Sequence, residues 1–176
     1  MRLVSPAAVC AAVLVWCSAG VAGCSDNTDQ YLSDLKSPNP MVRLSAATQA
    51  RKSTDPRIVA ALGPAVADSS ATIRARAVES LGIIGDKGAV PLLIRALRDD
   101  DQAVRRKAVE ALGKLKDASA TQPLLRLLKD QERPYDVVWA LGQIGSKEAI
   151  PVLTPMLDSD DRYLAYNAMI ALRKIR

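Results

Sequence analysis

Histidine and phenylalanine are absent from the 176 residues, tryptophan occurs twice, and all three cysteines fall within the first 24 positions. Without imidazole the chain lacks the commonest general base and the commonest neutral metal ligand. A hydrolase or transferase needs a nucleophile, a base and a group to orient them. The serines have no G-x-S-x-G context, so that set is not visible. Phosphate-cradling glycine loops are missing too: Gly82 and Gly85 stand near a helix end, where glycine commonly terminates helices. The net charge of +5 and pI near 9.3 describe a mildly basic surface. No Lys/Arg block with interleaved aromatics accompanies them, which argues against nucleic-acid binding.

What is present begins with "MRLVSPAAVCAAVLVWCSAGVAGC". One Arg, an uncharged apolar run and then small residues have the layout of a secretory signal, with no charge between Arg2 and Asp26. An uncleaved anchor is the rival, since about 20 apolar residues can span a bilayer. Val21-Ala22-Gly23-Cys24 resembles the lipobox of bacterial lipoproteins, which implies lipid on Cys24 and a mature chain that starts there. The expected organisation is a lipoprotein-type signal at 1–23, a lipidated N-terminus and tether at 24–28, and a repeat domain at 29–176. The expected location is the bacterial cell envelope, anchored to a membrane by palmitate-type acylation. With Cys10 and Cys17 lost and Cys24 acylated, neither disulfide nor zinc chemistry remains, and no metal or other cofactor is expected.

Internal similarity organises the remainder. "VESLGIIG" (78–85), "VEALGKLK" (109–116), "VWALGQIG" (138–145) and "MIALRKIR" (169–176) place Leu81, Leu112, Leu141 and Leu172 at intervals of 31, 29 and 31 residues. A fainter copy, "MVRLSAATQARK", occupies 41–52. Val104, Ala108, Val109, Leu112 and Leu115 form one apolar stripe at about 100° per residue, and Ile73, Ala77, Val78, Leu81 and Ile84 match them. Between copies run second apolar segments with Pro91, Pro123 or Pro151 near their starts. Proline is tolerated there because the first helical N–H groups have no partner within the helix.

These pairs, with "IRARAVESLG" and "VRRKAVEALG" as the clearest copies, resemble HEAT repeats of the short type also found in phycobilisome lyases. The resemblance implies an all-α, right-handed superhelical solenoid of helical hairpins, here five pairs, with the "ALG" helices lining the concave face. It says almost nothing about function. Asp68 with Arg74, and Asp99 with Arg105, share a separation of six and resemble the Asp and Arg ladder that ties neighbouring HEAT repeats. The acidic clusters at 99–101 and 158–161 are expected to cap helices. Arg95, Arg98, Arg126 and Lys129 align on the proline-bearing helices. They make a short basic strip that is either a solvated face or a seat for an acidic partner or lipid headgroup.

The fourth repeat departs from the others. Tyr135 and Trp139 take the outward positions held by Arg106 and Glu110 one repeat earlier, and Tyr166 and Ile170 take them in the last helix, with Tyr163 one turn before. Two readings stay open: an aromatic contact patch, or a helix rotated by Pro134, by Arg133 in an apolar slot and by the loss of two residues, so that Trp139 is buried. The last helix also has a stripe, Leu164, Ala168, Met169, Leu172 and Ile175, with no visible partner beyond it. The expected function is a membrane-anchored, non-catalytic protein-binding scaffold or adaptor. Its contact residues would be Tyr135, Trp139, Tyr163, Tyr166, Ile170 and Arg106, with self-association through the C-terminal end as a further expectation. The alternative is a bilin-lyase-like chromophore-handling protein.

Overall fold

The computed structural model describes residues 28–129 and 134–175. The expected signal, Cys24 and Arg133 lie outside them. Ten α-helices follow one another among the described residues: α1 (Thr28–Asp34), α2 (Pro40–Gln49), α3 (Arg57–Ala65), α4 (Ala71–Ile84), α5 (Val90–Ala96), α6 (Gln102–Leu115), α7 (Thr121–Lys129), α8 (Tyr135–Ile144), α9 (Ile150–Leu153) and α10 (Arg162–Ile175). There is no strand among them, and no helix is long and apolar enough to cross a membrane. The architecture is an all-α solenoid. The even-numbered helices pack side by side as one layer, and α3, α5 and α7 each pack on the long helix that follows.

Each boundary has a local cause. Asp101 Oδ1 accepts from the backbone N–H groups of Ala103 at 2.8 Å and Val104 at 3.2 Å, which starts α6. Asp161 Oδ1 starts α10 in the same way, accepting from Tyr163 and Leu164. Pro91 and Pro151 occupy the first turns of α5 and α9. Gly85 and Gly145 end α4 and α8 in the left-handed conformation, at φ 77° and 76°. Lys116 takes the same position after α6 at φ 53°, although it carries a Cβ.

The apolar stripe of α6 is buried throughout, from Val104 to Leu115, and in α4 Ile73, Ala77, Val78 and Leu81 are buried while Ile84 is half-covered. Fully burying a leucine of this kind stabilises the fold by roughly 1.5–3 kcal/mol. In α10 the stripe is covered unevenly: Ala168 and Ile175 are buried, whereas Leu164 and Leu172 are only partly covered.

The "ALG" glycines do more than end helices, which corrects the expectation for Gly82. A Cβ on Gly82 would lie 2.7 Å from the Ala111 Cβ, and one on Gly142 would lie 2.7 Å from the Ala171 Cα. A Cβ on Gly113 would likewise lie 3.1 Å from the Ala140 Cα. Each glycine therefore seats the alanine of the next long helix, so that backbones rather than side chains meet. Where the fainter first repeat lacks that glycine, the equivalent of alanine is Ser80, whose buried hydroxyl donates to the Ala47 carbonyl at 2.6 Å.

Candidate protein-contact face

The surface of the long-helix layer carries the outward side chains of α4, α6, α8 and α10. Across α4 and α6 they form one chain of charges: Arg76 to Glu79 at 2.5 Å, Glu79 to Lys107 at 2.7 Å, Lys107 to Glu110 at 3.5 Å and Glu110 to Lys114 at 2.7 Å. The Lys107 ammonium holds the Glu79 carboxyl below its ordinary range, and Lys114 does the same to Glu110. Lys107 is itself pushed up by Glu79.

At α8 the character changes. Val137, Val138 and Leu141 are buried, so the helix keeps its register, and Trp139 retains 36% of its surface. The indole rests against Gly113, whose missing side chain leaves room for it: a Cβ there would lie 2.6 Å from Trp139 Cζ3. With its amide oxygen turned toward them, Gln143 accepts from Trp139 Nε1 at 3.2 Å and from Lys174 Nζ at 2.5 Å. Trp139 is thus neither swallowed by a rotated helix nor left standing free. The ring is held at Cζ3 and Nε1 and about a third of its surface stays open, beside a depression of about 470 Å³ walled by Arg106, Glu110, Lys114, Asp136 and Trp139.

The remaining candidate residues separate by role. Tyr135 is half-buried, and its hydroxyl donates to Asp161 Oδ2 at 2.5 Å; its ring meets Tyr163 edge to face, with centroids 4.9 Å apart. That hydroxyl is the largest cause of the lowered Asp161 pKa. Tyr163 and Tyr166 are exposed, at 61% and 56%, and Ile170 is half-covered. Arg106 meets Trp139 across the depression, whereas Tyr163, Tyr166 and Ile170 lie on α10 outside its walls. Cys24 lies outside the described residues.

The Asp and Arg ladder is real but runs differently from the spacing expected of it. Arg74 does not bridge to the Asp68 carboxylate six residues back. It donates there to backbone, to the carbonyls of Asp68 and Ser69 at 3.0 and 3.3 Å, and reaches forward 25 residues to the Asp99 carboxylate. Arg43 repeats this with the carbonyls of Ser37 and Pro38 and the carboxylate of Asp68. Arg105 holds the carbonyls of Asp99 and Asp100, and position 130, 25 residues on, lies outside the described residues. Pro134 removes the arginine from the next junction, where the Tyr135 hydroxyl reaches Asp161 across 26 residues.

Glu110, Lys114 and Asp136 are not among the contact residues expected from the sequence, where Glu110 figures only as an outward position. A signal existed in Asp136, which breaks the basic row of Arg76 and Lys107. Among the described residues no group of three or more His, Cys, Asp or Glu side chains is placed to hold a metal ion.

A HEAT-repeat family model matches three overlapping stretches, residues 28–94, 59–136 and 102–173. Among solved structures, the complex of CpcE and CpcF of phycocyanin lyase from Nostoc sp. PCC7120 is similar at 28% identity and a TM-score of 0.73, over 89% of this chain and 68% of that one. A designed armadillo repeat protein in complex with the peptide (KR)4 is similar in fold, with a TM-score of 0.62 at 20% identity, over 83% of this chain and 80% of that one. No curated protein matches. The family matches span nearly all described residues, the fold agrees, and the glycine and alanine contacts supply the repeat packing: the chain belongs to the HEAT-repeat family.

Proposed function

We propose that the protein is a membrane-anchored, non-catalytic adaptor that holds a protein partner in the bacterial cell envelope. The observation that carries this reading is the half-open Trp139 over its depression on the long-helix layer. Aromatic side chains with one open face concentrate binding energy, because they bury a large area at little entropic cost. The repeat scaffold is of a kind suited to protein binding, and the similar designed armadillo protein holds a peptide. Val21-Ala22-Gly23-Cys24 supports the tether, with the signal at 1–23 removed and the repeat domain beginning near residue 29. Tyr163, Tyr166 and Ile170 extend the apolar surface onto α10, where a partner or a second copy would also find purchase.

Co-purification from detergent-solubilised membranes tests the adaptor. A partner retained by the unchanged protein and lost on Trp139→Ala supports it; the absence of any stoichiometric partner overturns it. Acyl-lipid labelling tests the tether, and labelling that persists in Cys24→Ser refutes it.

The similarity to the phycocyanin lyase complex favours a second reading, a chromophore-handling protein of lyase type. Against it, the described residues contain neither cysteine nor histidine. Titration with a free bilin separates the two: a saturable change in the visible spectrum supports chromophore handling, and an unchanged spectrum dismisses it.

A further inference from the structure

The outward side chains of the long helices fall into rows by register. The row of Arg76 on α4 continues as Lys107 on α6 and Asp136 on α8, and the row of Glu79 continues as Glu110 and then Trp139. Between α4 and α6 the two rows are cross-linked, since Lys107 Nζ donates to Glu79 at 2.7 Å. The equivalent bond between α6 and α8 would join position 136 to Glu110, and position 136 holds a carboxylate. The rung is inverted: where the register calls for a cation, position 136 sets a second acid beside Glu110, in a depression that Trp139, Arg106 and Lys114 also line.

The protein does not repair this from within. Glu110 turns along its own helix to Lys114 at 2.7 Å and Lys107 at 3.5 Å and remains 43% exposed, while Asp136 is exposed and makes no ion pair among the described residues. An acid in the first turn suits the positive end of α8, which explains why the helix tolerates Asp136 but leaves its charge unanswered at the surface. Arg106 stands on the other side of the depression, also without an ion pair. With Arg106 and Lys114 against Glu110 and Asp136, the walls carry no net charge.

We infer that this depression seats a single arginine side chain of a protein partner, its guanidinium stacked on Trp139 between the carboxylates of Glu110 and Asp136. This rests on the reading of the long-helix layer as a contact face, and it names the chemistry of what is held there. Arginine fits better than lysine because its flat guanidinium stacks on a ring while forking to a carboxylate. A cation above an indole changes affinity by about two- to thirtyfold. The unpaired carboxylate of Asp136 attracts one cation, and Arg106 on the same walls repels a second, which disfavours a polybasic tract and leaves the Arg106 donors for a neighbouring carbonyl or carboxylate of the same segment.

The test uses the full-length protein in detergent and three fluorescein-labelled peptides, Gly-Ser-Gly-Arg-Gly-Ser-Gly and the same sequence with Glu or Leu in place of Arg, followed by fluorescence anisotropy at low salt. The Arg peptide is expected to bind at least about fivefold more tightly than the Leu peptide, with the Glu peptide weakest. Asp136→Lys, which restores the rung seen at Lys107, is expected to lower Arg-peptide affinity at least about tenfold. Glu148→Lys, the same charge change in the turn before α9, is expected to leave it unaltered. If Asp136→Lys does not melt cooperatively, Asp136→Asn provides the comparison, with a loss of at least about threefold. Equal binding of the Arg and Leu peptides, full affinity in the Asp136 variants, or no saturable binding of any peptide overturns the inference. A Leu peptide that binds best and is lost on Trp139→Ala overturns the arginine seat while leaving the contact face standing. Failure of the contact face itself shows in the co-purification experiment.

Discussion

Arg74 and Asp99 form a two-pronged ion pair, Nε to Oδ2 at 2.8 Å and Nη2 to Oδ1 at 2.7 Å, that ties α4 to the turn before α6. Both side chains are largely covered, at 17% and 11% exposure, and Asp99 also accepts the Asp101 backbone N–H. Removing one partner strands the other charge at a junction. Arg74→Ala is expected to lower unfolding free energy by about 1–3 kcal/mol, and the double change with Asp99→Ala to cost less than the sum of the two. Urea denaturation of the four proteins in the cycle measures this; strict additivity contradicts the ladder.

Acid should act through these same carboxylates. Asp68 is held below its ordinary pKa by Arg43, and Asp99 by Arg74, so each adds stability above the unfolded aspartate value of about 3.9 and loses it as pH falls through the lower folded value. With no histidine in the chain, stability is expected to stay flat from about pH 5.5 to 8 and to fall below about pH 4. Thermal melts across that range check it, and Asp99→Asn should flatten the acid limb.

Two glycines should respond oppositely to the same methyl group. Gly82 has no room, with Ala111 Cα 2.9 Å from a would-be Cβ, whereas Gly63 in α3 meets nothing nearer than Leu92 Cδ2 at 3.9 Å. Gly82→Ala is expected to destabilise by about 1–3 kcal/mol despite its better helix propensity, and Gly63→Ala to stabilise by about 0.5–1 kcal/mol. Melting temperatures that move in the same direction contradict the seating of Ala111.

Lys116 holds the left-handed position that glycine fills after α4 and α8. Lys116→Gly relieves the Cβ clash, offset in part by the greater freedom of glycine in the unfolded chain. A net gain of about 0.5–1 kcal/mol in denaturant unfolding is expected.

Most of the fold was legible because burial repeats with the helix. The spacing of Val104, Ala108, Val109, Leu112 and Leu115 names a buried stripe from the sequence alone, since side chains about 100° apart reach one face. The ladder was half legible. The recurring Asp and Arg showed that a junction existed, but the separation of six pointed to the wrong carboxylate, because the guanidinium meets backbone behind it and a side chain of the next repeat ahead. The candidate face was legible only in its outline. Tyr135 and Trp139 stood out by composition, yet in space Tyr135 reaches to Asp161 at the α8 and α10 junction while Trp139 opens onto the depression.

The sequence by itself determined the all-α class, the repeat length, the buried stripe and the absence of histidine, because these depend on residue type and on a period internal to each helix. Only the tertiary structure decided which neighbour each residue meets. Gly82 became a seat for Ala111, Arg74 found Asp99, and Asp136 came to share a wall with Glu110 and Trp139. Those pairings depend on how closely one helix lies on the next, a distance set by small residues packed backbone to backbone, and no helix carries that spacing in its own sequence.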